Sequence, residues 1–251
     1  TVNQFIFVKI AIPFMCTVTY LPRKRGFVLT SNRDEDKTRA SQVIFPEEME
    51  FDEDVILFPK DPKGGGTWIA CDNNGRVACL LNGAFEKHKP EDNYRKSRGL
   101  VVLDSFGYEK ITDFVKEYKF LGIEPFTLVL IDYNRGKSEI HEIRWDGKKT
   151  HHKKLDSQKP MIWSSATLYP KEIREAREQW FGDFLAEGKL SAQAVRKFHQ
   201  FGGTGDHSND LVMERGSMLS TASISSIEFG EQGGEFIYQD LLKDEMKRQF
   251  I

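Results

Sequence analysis

At 251 residues the chain is long enough to bury one large core or two small ones. Hydrophobic residues make up 39% and aromatics 12%, which excludes wholesale disorder; 36 basic residues against 38 acidic ones leave a formal net charge of -2, too balanced for a general nucleic-acid binder, whose footprint is a basic surface. Three cysteines, Cys16, Cys71 and Cys79, are too few and odd in number for a disulfide framework and point to a reducing, cytoplasmic compartment.

Residues 5–14 are apolar except for Lys9, but the run is far shorter than the ~20 residues a membrane-spanning helix needs. It lacks the basic start and small-residue cleavage site of a signal peptide, so no stable membrane insertion is expected. Three readings of this 1–14 extension stand side by side: translated sequence ahead of a misassigned start, an ordered extra strand or tail, and a propeptide removed to expose Cys16. No repeat, low-complexity tract or linker divides residues 15–251, and one domain is the simpler organisation.

Residues 16–21 and 27–32 are rich in β-branched and aromatic side chains and predict two strands joined by Pro22-Arg23-Lys24-Arg25-Gly26, a polar connection ending in the glycine a short hairpin needs. If Pro22 pairs with Phe27, paired numbers sum to 49 and Cys16 faces Arg33, with Asp34 beside it. An adjacent cation lowers a thiol pKa, so a thiolate is favoured there. If Met15 is the initiator, its removal leaves Cys16 with a free α-amine, a group titrating near ~8 that can act as general base for its own thiol. Residue type alone favours Cys16 as a small buried strand residue, as free cysteines commonly are.

Residues 36–62 are polar, acidic and punctuated by Pro46, Pro59 and Pro62, and read as an irregular surface excursion that shapes a pocket rim; the acidity reads as solvation, not a metal site. The Gly64-Gly65-Gly66 run has no following helix or lysine-serine pair to make a phosphate loop, and predicts a close approach between backbones. Residues 67–71 and 76–83 flank Asn74-Gly75 as a second hairpin.

Apolar residues at helical spacing in 98–106 and 109–121 predict packing helices, and residues 126–131, 138–145, 150–155 and 161–168 predict strands of a second sheet layer. His151 and His152, adjacent on a strand, point to opposite faces and cannot readily share a metal with each other, and no metal site is expected from them or His141. Pro170 opens a long helix and Ser191 caps another, whose Val195, Phe198 and His199 read as core. Residues 202–209 are glycine-rich and predict a mobile loop, either inert or a pocket lid. A last hairpin over 217–229 and 234–241 precedes an unpatterned tail.

Met15-Cys16, the tetrad Asn32-Arg33-Asp34-Glu35, Gly65-Gly66-Thr67-Trp68 and Leu81-Asn82 together resemble the pattern of the NRDE family, also called the transport and Golgi organisation protein 2 family. That family is similar to N-terminal nucleophile hydrolases of the choloylglycine hydrolase and penicillin V acylase branch. The resemblance implies an α+β fold, a four-layer αββα sandwich of two mainly antiparallel sheets. It also implies a cysteine amidohydrolase acting on non-peptide C–N bonds, with Cys16 as nucleophile, Arg33 and Asp34 orienting thiolate and amine, and Asn82 donating to an oxyanion. Asn32, Trp68 and Ser165 are assigned to substrate contact. Ser165 stands where the family pattern has an asparagine, a departure that weakens the hydrolase reading, and the late arginine of the acylases has no assignable counterpart, Arg215 lying outside the expected strand position. Family members are linked to haem trafficking and to lipid or acyl-CoA metabolism, so the alternative is a non-catalytic carrier. The implied partners are a small-molecule amide, an acyl-lipid or haem, with haem a ligand and no resident cofactor or metal.

Overall fold

The computed structural model describes residues 14–38, 44–51 and 54–251, with side chains from Thr17 onward. The three readings of the leading extension therefore lie outside the described residues. In chain order the elements are β1 (Phe14–Arg23), β2 (Gly26–Asp36), β3 (Pro46–Phe51), β4 (Asp54–Pro59), β5 (Ile69–Asp72), β6 (Arg76–Asn82), α1 (Arg98–Asp104) and α2 (Ile111–Glu117). There follow β7 (Phe126–Asn134), β8 (Lys137–Trp145), β9 (Thr150–Leu155), β10 (Met161–Ser164), α3 (Lys171–Ala186), α4 (Ala192–Phe201), β11 (Glu214–Arg215), β12 (Leu219–Gly230), β13 (Gly233–Asp240) and β14 (Glu245–Phe250).

Two antiparallel sheets result. The first runs β10-β1-β2-β12-β13-β14, with β11 paired to β12, and the second runs β3-β4-β5-β6-β7-β8-β9. Because side chains alternate along a strand, each sheet buries both faces, which period two divides between different neighbours. Val18, Tyr20, Phe27, Leu29, Ile227 and Phe236 of the first sheet meet Ile69, Val77, Cys79, Val129 and Ile131 of the second in a shared core. The outer face of the second sheet packs Leu128, Leu130 and Ile143 against Val101, Val102, Ile111 and Phe114 of α1 and α2. Leu21 and Val28 of the first sheet pack against Ala192 and Val195 of α4. The layers are therefore helix, sheet, sheet, helix, the αββα sandwich the resemblance implies.

Ser191 caps α4 by accepting from the Ala194 amide, as its position predicts, and Pro170 occupies the N-cap of α3. Three expectations are corrected. Residues 36–62 contain the β3–β4 hairpin; the exposed Glu47, Glu48 and Glu50 lie on an edge strand, where charge is tolerated and hides the alternation. The strand at 161–168 ends at Ser164 and crosses to pair with β1 in the first sheet. The tail is β14, another edge strand, and four of its six residues are exposed in succession, so no polarity pattern marks it.

The glycine run meets the close-approach expectation at Gly66. A Cβ there would lie 2.2 Å from the Gly99 carbonyl carbon, where the first turn of α1 abuts the loop and the Thr67 amide donates to Gly99 O at 3.1 Å. Gly66→Ala is expected to cost about 1–3 kcal/mol through overpacking, and a thermal denaturation midpoint within 1 °C of the parent protein would contradict this contact.

Candidate active site

The site is organised by a strand whose two faces do different work. All residues of β2 from Gly26 to Glu35 are buried, so polarity gives no cue to which way a side chain turns. Phe27 and Leu29 face the inter-sheet core and Val28 faces α4, and the same period turns Ser31, Arg33 and Glu35 inward and Asn32 and Asp34 outward. The tetrad is thereby split. Inward, the Arg33 guanidinium donates to Glu35 Oε2 at 2.7 Å and lies 4.4 Å from the Trp68 ring centroid. Both members of this ion pair are nearly sealed from solvent, with side chains 3% and 0% exposed, and Glu35 Oε1 also accepts from the Asp36 amide.

Outward, Asn32 donates through Nδ2 to the carbonyls of His199 and Leu211, at 3.0 and 2.6 Å. Its Oδ1 meets His199 Nδ1, while His199 Nε2 lies 2.7 Å from the Thr19 hydroxyl. An amide oxygen only accepts, so His199 carries its proton on Nδ1 and accepts from Thr19 at Nε2. Burial, with a smaller contribution from the Arg177 charge, pushes the His199 pKa down to about 3, and the ring is neutral. Asp34 accepts from Tyr169 Oη at 2.8 Å and from the Thr221 hydroxyl. Arg33 and Glu35 thus turn to the inter-sheet face, while Asn32 and Asp34 turn to the opposite face, where Asn32 meets His199 of α4 and Asp34 meets Tyr169 and Thr221.

The hairpin register also departs from expectation at one point. Pairing runs Pro22↔Phe27 to Thr17↔Asn32 with numbers summing to 49, then shifts, so that Met15 pairs Arg33 and Phe14 pairs Asp34. Cys16 falls at that step; it stands at a bulge and not squarely opposite Arg33. The other neighbour of β2 does the same, for β12 pairs Ser223 with Arg33 and Thr221 with Asp34, stepping past Ala222. Arg33 is therefore flanked by a bulge on each side, a device that re-aims side chains and recurs beside active sites. The Cys16 side chain lies outside the described residues.

Trp68 is 1% exposed and covers Arg33 from the second sheet. Asn82 ends β6, fully buried, and its carbonyl accepts from Ser165 Oγ at 2.9 Å. Ser165 also accepts from the Leu168 amide, so its hydroxyl ties the end of β10 to the end of β6 across the two sheets. The structure thus brings Asn82 and Ser165 together. Cys71 and Cys79 are buried in the core; burial raises both thiols, Cys79 to about 12, and makes them poor nucleophiles. His151 turns to Asp146 and His152 stacks on His141, so the adjacent pair diverges as period two requires.

Sequence reasoning missed Glu35 as the partner of Arg33, and missed Tyr169, Arg177 and Thr221. Arg177 carried a usable signal: it sits four residues before Phe181 on α3, in line with the buried stripe of that helix.

The family model for Transport and Golgi organisation 2 matches residues 15–221. The chain belongs to the Transport and Golgi organisation 2 family. Among solved structures, a variant of the conjugated bile acid hydrolase from Clostridium perfringens is similar at 10% identity and a TM-score of 0.52, covering 94% of this chain and 92% of that one. The Caenorhabditis elegans orthologue of N-acylethanolamine-hydrolyzing acid amidase is similar at 9% identity and a TM-score of 0.52, covering 84% and 92%. At such identities the likeness shows the fold, which is that of the N-terminal nucleophile hydrolases. A comparison with curated proteins finds no match. Among the described residues of this family member, no helix is long and apolar enough to cross a membrane.

Proposed function

We propose that the protein is a cysteine N-terminal nucleophile hydrolase that cleaves a non-peptide C–N bond in a small amide or amide-linked acyl-lipid. The observation that carries the reading is Arg33, turned into the inter-sheet space, held there by Glu35 and Trp68, and flanked by two bulges of which one falls at Cys16. A guanidinium beside a thiol favours the thiolate, and a bulge sets position 16 apart from the regular ladder.

In this mechanism the α-amine of Cys16, once it is the first residue, takes the thiol proton, and the sulfur attacks the amide carbonyl. Asn82 donates from its side-chain amide to the developing oxyanion. Collapse of the tetrahedral intermediate breaks the C–N bond; the leaving nitrogen takes the proton back from the Cys16 ammonium, and a thioester remains. Water, deprotonated by the same amine, releases the acid and restores the thiol. Glu35 fixes the Arg33 guanidinium, and Asp34 keeps the orienting role toward the thiolate and amine that the resemblance implies.

Intact-mass measurement of protein purified from its native host tests whether the active form begins at Cys16. Hydrolysis of a panel of N-acyl amides, followed by release of the free amine, is expected from that form and expected to fall to background in Cys16→Ala. Catalysis that persists in Cys16→Ala would sink the proposal. A Soret band on haem titration that disappears in Cys16→Ser, with no amide turnover, would favour the carrier.

A further inference from the structure

The outer face of the first sheet holds a buried polar network that reaches both bulges. Arg177 of α3 is fully buried. Its Nη1 donates to the Thr17 hydroxyl, its Nη2 donates to the carbonyls of Asn209 and Asp210 at 2.9 and 2.8 Å, and its guanidinium lies 3.7 Å from the Tyr169 ring centroid. The Tyr169 hydroxyl donates to Asp34, whose other oxygen accepts from Thr221. Thr17 is the first regularly paired residue after the step at Cys16, and Thr221 is the last before the step at Ala222. One connected set of contacts therefore grips the regular residue at the edge of each bulge.

We infer that Thr17, Tyr169 and Arg177, acting through Asp34 and Thr221, form a positioning clamp that holds the two bulges in register with Arg33 and so presents Cys16 to it. This rests on the reading of Cys16 as the nucleophile. The position of a bulge along a strand pair is set by side-chain contacts that tell one residue from the next, because a shift by one residue turns side chains to the other face. Arg177 supplies such contacts. Its planar fork meets one hydroxyl and two carbonyls at once, and a lysine ammonium on the same stem cannot satisfy all three in one plane. The contacts to Asn209 and Asp210 also anchor the end of the glycine-rich 202–209 loop, so the clamp ties that loop to the nucleophile strand.

The test is the pH dependence of iodoacetamide labelling at Cys16 in the full chain, read by peptide mass spectrometry, with the buried Cys71 and Cys79 as internal controls. Thr17→Val keeps the shape and strand preference but removes the acceptor; Tyr169→Phe keeps the ring under Arg177 but releases Asp34. Thr17→Ser restores the hydroxyl and serves as the conservative rescue. Both of the first two variants are expected to raise the labelling midpoint by about one pH unit, a tenfold loss of thiolate below the midpoint, while thermal melting shows them folded. Thr17→Ser is expected to titrate like the parent protein. A parent protein whose Cys16 labels no faster than a free cysteine overturns the nucleophile reading and the clamp with it. A reactive parent whose folded Thr17→Val and Tyr169→Phe variants keep its midpoint overturns the clamp alone.

Discussion

Arg33→Met is expected to destabilise the fold by about 3–5 kcal/mol, because it leaves the Glu35 carboxylate in the interior without the guanidinium that faces it. The pair is held between the sheets with Trp68 over it, so the surviving carboxylate has little recourse to water. Glu35→Leu alone is expected to cost a similar amount for the mirrored reason. The double variant Arg33→Met/Glu35→Leu should recover most of the loss, since replacing a buried ion pair by apolar residues of similar volume is often neutral or better. Urea unfolding of the three variants measures this directly. Single variants within about 1 kcal/mol of the parent would mean that the pair is hydrated in solution, where exposed pairs contribute little. Loss of stability with full recovery in the double variant, accompanied by loss of catalysis in both, would separate the two functions of Arg33: a fold that tolerates its removal and a site that does not.

The second large effect is on acid stability. His199 is buried between Thr19 of β1, Asn32 of β2 and the charged Arg177 of α3, and its pKa is pushed down to about 3 from an ordinary value of 6.5. The unfolded chain therefore binds a proton that the folded chain refuses. Stability from this group is fully present above about pH 6.5 and is lost as pH falls from there toward 3, at about 1.4 kcal/mol per pH unit. Carboxylates held below their usual range, among them Glu142 and Asp146, push in the same direction at the lower end of that window. His199→Gln separates the contributions. Its unfolding free energy between pH 7 and 5 should be flatter than that of the parent, and equal slopes would show that His199 is protonated in the folded state. Protonation would also break the acceptor role of Nε2 toward Thr19, so the same transition loosens α4 from β1.

The first hairpin shows where a linear reading succeeds. Its turn chemistry is local, and Pro22 pairing Phe27 propagates correctly to Thr17 and Asn32. The helices were legible for a similar reason, since the apolar period of α1 and α2 and the cap at Ser191 depend on residues within a few positions of one another. The β3–β4 hairpin and β14 escaped notice because exposed edge strands carry charge on both sides. A strand buried on both faces poses the opposite difficulty. Along β2 every position from 26 to 35 is buried, so Asn32, Arg33, Asp34 and Glu35 look alike in polarity while facing different layers.

The amino-acid sequence by itself determined the hairpin at its head, the packing helices and the charged tetrad, because turn residues, side-chain periodicity and motif spacing are all properties of neighbouring positions, and the motifs together carried the family resemblance that implies the αββα class. Only the tertiary structure decided that Arg33 and Glu35 turn inward while Asn32 turns to α4 and Asp34 to Tyr169 and Thr221, and that the register steps at Cys16 and again at Ala222. The physical reason is that a bulge and a face are defined by what lies across the strand. The partners that settle them here, Trp68, Tyr169, Arg177 and Thr221, are brought in from 35 to 187 positions further along the chain.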